Sequence, residues 1–388
     1  MLKTRALKMP GPLEQLIQTR RVIVTVGAGG VGKTTTAAAL GVAAAQRGKN
    51  VLCLTIDPAR RLAESLGIEE MRTEAATVDP ARFAAAGVPL TGSLTAMMLD
   101  TKRTFDELIV KYSSSPEKAE RLLSNKLYRY VSTSLAGTQE YMAMEKLVAV
   151  KDDPRYDLVL LDTPPTANAL DFLDAPQRLI EALDSNAMRW FAEAFQAGGR
   201  FGLNLLAKGA ASVLRNIGRI TGGGFLEAMA EFIAELDELF GGFKERAARV
   251  ESAHRSPEVA FVLVTSASPP AIKEVVYFAD RLEAANMSRG AFVVNRFHEP
   301  PARAAEGITE ADAEAGIARH SVALEEDGAE RLVRAHADAV RLAALDAVHL
   351  RALDVAAKDT PIIRVEELET DVHDLALLAR LGNVLTSG

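Results

Sequence analysis

The sequence predicts an α/β protein, a mostly parallel, doubly wound sheet with an inserted α-helical subdomain. Three observations carry that expectation. Apolar runs of strand length recur at Val22–Val26, Val51–Ile56, Leu94–Leu99, Tyr156–Leu161, Val259–Thr265 and Ala291–Asn295, with a weaker one at Pro361–Val365. Helical stretches separate most of them, the alternation that builds a parallel sheet covered on both faces. Two long stretches, 101–152 and 177–250, hold no such run and read as helices, so a helical subdomain is expected within one domain spanning 1–388.

Composition narrows the function classes. The chain has 388 residues, 48% hydrophobic and 25% charged, ordinary values for a globular protein. A net charge of −7 gives no cationic surface for nucleic acid, so no nucleic-acid partner is expected. No apolar run approaches the ~18–20 residues that span a bilayer. The first 20 residues lack the apolar core of a signal peptide, and a cytoplasmic location is expected.

The first strand runs into Gly27-Ala28-Gly29-Gly30-Val31-Gly32-Lys33-Thr34, which satisfies G-x-x-x-x-G-K-[ST], the phosphate loop of P-loop NTPases. Its glycines let backbone N–H groups crowd around phosphate oxygens. Lys33 brings a mobile positive charge to the β- and γ-phosphates, and the Thr34 hydroxyl is a ligand for Mg²⁺. Thr35 opens an Ala-rich helix whose positive end faces the anion. Gly27, Gly29 and Gly32 also fit the dinucleotide fingerprint G-x-G-x-x-G, with Asp57 at a tolerable distance for a ribose contact. A Lys-Thr pair has no use in that turn, which favours ATP with Mg²⁺ over a dinucleotide.

The second strand carries Cys53, the only cysteine, in an apolar run where a buried thiol is expected. One cysteine excludes an internal disulfide and a C-x-x-C zinc site. Asp57-Pro58-Ala59-Arg60-Arg61 follows. From the carboxyl end of a strand beside the phosphate loop, Asp57 can orient and deprotonate the attacking water. A helix cap or turn acid is the alternative.

The fourth clear strand ends in Leu160-Leu161-Asp162-Thr163-Pro164-Pro165-Thr166, an apolar run closed by an aspartate. That is the Walker B pattern, in which the carboxylate holds Mg²⁺ directly or through water. Two prolines stiffen the loop beyond it. Within 177–250, Phe225, Leu226, Met229, Phe232, Ile233, Leu236, Leu239, Phe240 and Phe243 recur at helical spacing. They read as one apolar face, either packed internally or against a second subunit, or forming a groove for an apolar client helix. The strand Ala291–Asn295 ends at an amide able to pair with adenine.

In this order the segments resemble the ATPase family that includes the arsenite-pump ATPase (ArsA) and the tail-anchored-protein targeting ATPase. That family lies within the wider MinD/ParA-like class of dimeric P-loop ATPases with a deviant Walker A loop. Gly27–Thr35 matches G-K-G-G-V-G-K-T-T, Asp57-Pro58-Ala59 the first switch D-P-A-H, and Asp162–Thr166 the second switch D-T-A-P-T. Gly137–Glu140 lies where the family has P-G-x-x-E, and Val294-Asn295 fits its adenine-reading strand end. The resemblance implies Lys33 on the phosphates, Thr34 and Asp162 at Mg²⁺, Asp57 as the water-activating base, and Asn295 at adenine with Val365 in the C-terminal adenine loop. It also implies a dimer that opens and closes with the nucleotide.

The departures are specific. The family's signature lysine, which reaches across the dimer to the partner's nucleotide, is Ala28 here. Either a heterodimer with a lysine-bearing paralogue or a substitute cation, Arg60 or Arg61, would answer that loss. Ala167-Asn168-Ala169 replaces Gly-His-Thr, and the adenine-loop proline is missing near Val365-Glu366. The functional expectation is a Mg-dependent ATPase whose dimer switching handles or targets a hydrophobic client or membrane partner. The alternatives are the energising subunit of an arsenite-type anion efflux pump, a MinD/ParA-like positioning switch, and the regulatory subunit of a heterodimer. With Cys53 alone, the chain cannot build the pump family's three-thiolate sensor.

Overall fold

The computed structural model describes residues 10–56, 61–68, 74–125, 138–163, 246–320 and 327–387, together with Tyr128, Ser132 and Ala175. The predicted α/β sheet is present. Eight strands form one sheet: β1 Val22–Val26, β2 Asn50–Thr55, β3 Ala76–Thr77, β4 Ser93–Met98, β5 Leu158–Asp162, β6 Val259–Ser266, β7 Arg289–Phe297 and β8 Ile362–Glu366. Their spatial order is β3-β4-β2-β5-β1-β6-β7-β8. Every pairing is parallel except the short edge pair β3–β4.

The central strands are apolar because both of their faces are covered. β1 and β5 are buried at every residue. Alternate side chains point to opposite faces, so Val22, Val24, Leu52 and Leu54 join one apolar cluster while Ile23, Val51 and Cys53 join the other. The first face is covered by the helices Thr101–Tyr112, Thr138–Lys151 and Pro269–Ala284 and part of the long helix Gly328–Ala357. The second is covered by Pro12–Thr19, Lys33–Gln46 and Leu375–Thr386.

Lys33–Gln46 lies deepest, with its alanines almost entirely excluded from solvent. Small side chains there let helix Leu375–Thr386 approach closely. A Cβ on Gly382 would stand 2.6 Å from the Ala39 carbonyl oxygen.

The parallel register sets the site. β5 pairs with both β1 and β2, which brings Thr25, Asp162 and Thr55 level at the carboxyl edge of the sheet. β1 is the strand from which the chain winds first to one side and later to the other. Such a switch point is where open α/β sheets bind ligands.

The expected helices of 101–152 are found at Thr101–Tyr112, Pro116–Ser124 and Thr138–Lys151. The 177–250 stretch, with its apolar face Phe225–Phe243, lies outside the described residues apart from 246–250, which are helical. A buried polar knot joins three of these segments. Arg246 Nε meets Glu145 Oε1 at 3.1 Å, Tyr141 donates its hydroxyl to the same oxygen at 2.6 Å, and the guanidinium lies 3.6 Å from the Tyr112 ring centre.

Candidate nucleotide site

The turn after β1 has the open, glycine-rich backbone that the sequence predicts for a phosphate loop. Gly32 sits at φ 96°, the left-handed region, and caps helix Lys33–Gln46 from that conformation. A Cβ there would run into the Asn295 amide. Gly27 and Gly30 also take positive φ, and Gly29 and Gly30 form the exposed lip of the loop. Val31 is buried, and its carbonyl accepts a hydrogen bond from Asn295 Nδ2 at 2.9 Å.

Lys33 is the first residue of the helix and is 6% exposed. Its ammonium donates to the Ala28 carbonyl oxygen at 2.8 Å, folding the side chain back over the loop. Ala28 itself rests half-buried against the apolar cluster on that face. The Lys33 charge reaches Glu274 on helix Pro269–Ala284, whose carboxyl is raised by burial and pulled back down by the lysine.

Thr34 donates its hydroxyl to Asp162 Oδ2 at 2.8 Å, and Thr55 donates to the same oxygen at 3.1 Å. The phosphate-loop threonine and the aspartate at the end of β5 are thus brought together. Burial, with the charge of the buried Asp162 adding to it, pushes the Cys53 thiol up to about 12. Cys53 is therefore a buried core thiol, as expected.

Beside the loop opens a cavity of about 620 Å³, a size suited to a small ligand. Gly32 and Thr35 form one wall, Asn295 and Arg296 from the end of β7 a second, and the end of β8 with the segment after it a third, while Glu64, Ser65 and Leu381 complete the lining. Val365 on β8 is buried in the apolar core and does not line the cavity, whereas Glu366, Glu367 and Leu368 line it directly. Asp57 and Arg60 lie outside the described residues. Arg61 begins the helix Arg61–Ser65.

Residues 20–308 match the family model of anion-transporting ATPases, ArsA ATPase, a span that contains β1 to β7. The chain belongs to the ArsA ATPase family. Similar proteins include an "ATPase get3" of Aspergillus terreus, 27% identical over 73% of this chain and 75% of that protein. An "ATPase get3" of Aspergillus niger is 27% identical over 73% of this chain and 74% of its own length. An "ATPase ASNA1 homolog" of Entamoeba dispar is 33% identical over 46% of this chain and 54% of that protein. As a member of the ArsA ATPases the chain is an ATP-hydrolysing enzyme, and the expected resemblance is borne out.

The donor chemistry suits a hard cation. A hydroxyl and a carboxylate stand together at the mouth of the phosphate loop, and Mg²⁺ takes one or two such protein oxygens beside substrate phosphates and water. Among the described residues no group of three or more His, Cys, Asp or Glu could hold a metal. None of the described helices is long and apolar enough to cross a membrane.

Several residues of the site were not anticipated. Thr55 and Arg296 lie at the carboxyl ends of strands and Glu367 just past β8, with Asp371 in the segment that follows. That edge is the signal that would have found them, although which strand ends are neighbours is fixed only by the sheet order.

Proposed function

We propose that this ArsA-family chain is a Mg-dependent ATPase whose nucleotide-driven dimer switching is coupled to handling or targeting a hydrophobic client or membrane partner. The observation that carries the nucleotide reading is the Thr34–Asp162 hydrogen bond beside Lys33. In this reading the Lys33 ammonium exchanges the Ala28 carbonyl for phosphate oxygens. The Thr34 hydroxyl and Asp162 carboxylate would hold Mg²⁺, which would supply charge neutralisation to the bound phosphates. Asp57 serves as the base for the attacking water, in keeping with the family's first switch.

Adenine occupies the 620 Å³ cavity. Asn295 has one amide N–H committed to Val31, and its oxygen is suited to accept the base's exocyclic amine. Val365 anchors β8, from which the adenine loop leaves, in the apolar core. The client reading draws support from relatives named get3 and ASNA1, whose family includes the tail-anchored-protein targeting ATPase. The single, buried cysteine argues against thiolate-sensed arsenite export. Because Ala28 lacks the cross-dimer charge, the second chain in this reading is a lysine-bearing paralogue that supplies it; a copy using Arg60 or Arg61 is the alternative that rapid turnover by the unaltered chain would favour.

Calorimetric titration of ATP with and without Mg²⁺ tests the site. Asp162→Asn is expected to lower the apparent Mg²⁺ affinity about 10- to 100-fold while leaving metal-free ATP binding near the wild-type value. An unchanged Mg²⁺ dependence in Asp162→Asn and Thr34→Ala alike would remove both residues from the metal site.

A further inference from the structure

The loop that closes the cavity meets the long helix Gly328–Ala357 through an imidazole. His298 follows β7, three residues beyond Asn295, and lies outside the cavity lining. Its backbone N–H donates to Asp346 Oδ2 at 3.0 Å, and its ring Nδ1 stands 2.8 Å from the same oxygen. Its Nε2 faces Glu367 Oε2 at 3.2 Å. Asp346 is 8% exposed on the long helix Gly328–Ala357, whereas Glu367 belongs to the cavity wall. Glu367 is also held at its backbone, where its N–H donates to the Phe297 carbonyl at 3.0 Å.

A neutral imidazole has one N–H, so it can donate to only one of two carboxylates on opposite sides. An imidazolium donates to both. The charged groups that face the ring are Asp346 from the helix and Glu367 from the loop. Neighbouring cations are engaged elsewhere: Arg296 reaches toward Asp371, and Arg364 lies between Asp354 and the Phe297 ring.

We propose that His298 is a positioning residue for the nucleobase, holding Glu367 and the adenine loop against Asp346 only while the ring carries both protons. This rests on the reading that the cavity receives the base. The hydrogen bond to Asp346 is the main cause raising the ring's pKa, and the Asp346 and Glu367 charges act in the same sense against desolvation. The folded pKa is therefore above the ordinary value. The clasp is complete below that ordinary value, and it is lost as pH rises through the raised one.

The experiment compares ADP with inorganic pyrophosphate, which has the same two phosphates and no base, by calorimetry between pH 6 and pH 8.5. Wild type is expected to bind ADP about two- to fivefold more tightly than His298→Gln at pH 6, with the ratio closing toward one at pH 8.5. Pyrophosphate affinity is expected to be equal in the two proteins throughout. Glu367→Gln, a change on an exposed side chain that leaves the Asp346 contact in place, is expected to reproduce the same pH-dependent ratio. A ratio constant with pH for both variants would make His298 merely structural and overturn the inference. If wild type binds pyrophosphate as tightly as ADP, the base assignment of the cavity fails and takes the inference with it. A preference for ADP with a flat ratio would leave that assignment standing and defeat the role of His298 alone.

Discussion

Gly32 shows how one residue serves conformation and site together. Its left-handed φ starts the phosphate-loop helix, and the space where a Cβ would stand belongs to the Asn295 amide. Gly32→Ala therefore meets backbone strain and a displaced amide at once, and a loss of about 1–3 kcal/mol of stability is expected. Chemical denaturation checks the stability and ADP titration the site; a variant as stable as wild type with unchanged ADP affinity would contradict this account. Lys33, Thr34 and Asp162 were legible in the sequence because each sits in a motif whose spacing reflects its chemistry. Glu367 and His298 were not, since their meeting depends on β7 and β8 lying side by side. No local pattern marks a histidine as the link between a buried helix carboxylate and a cavity wall.

Among elements, apolar runs located the seven longer strands to within about two residues, because the central strands, buried on both faces, must be apolar throughout. β8 at the sheet edge, half-buried or exposed at most positions, gives the weakest run. β3 escaped notice. Its two residues carry no period, and they pair antiparallel with β4 through Ala76 and Thr77. The helices between β4 and β5 were expected, but their attachment to helix 246–254 through Glu145 and Arg246 was not, since the pair is separated by about a hundred residues. Both side chains are at most 10% exposed. Removing one partner of a buried ion pair typically costs about 3–5 kcal/mol. Glu145→Gln should accordingly lower the thermal midpoint markedly, with Arg246→Met less harmful in combination with it than alone. Additive losses in the double variant, followed by calorimetry, would show that the two side chains do not act as a pair.

Across the whole molecule, the sheet places the described elements of the candidate nucleotide site at one edge. The β1 loop, the β2 and β5 ends with Thr55 and Asp162, and the β7 and β8 ends with Asn295 and Glu366 converge there. Membership in the ArsA ATPases accounts for that arrangement, and Ala28 is where this chain departs from the family's loop. In our reading Lys33, Thr34 and Asp162 supply the chain's own phosphate and metal contacts, while the charge that crosses the dimer must come from elsewhere. Stabilising charges delivered across an interface in phosphoryl transfer are worth about 10³–10⁵ in turnover, so residue 28 is the most direct handle. The deciding measurement is steady-state ATP hydrolysis by the purified chain, with and without Ala28→Lys, over a range of protein concentrations. The account predicts slow turnover alone and at least a tenfold rise with the lysine, steepening with concentration as dimers form. Rapid turnover by the unaltered chain, unchanged by the lysine, would contradict it.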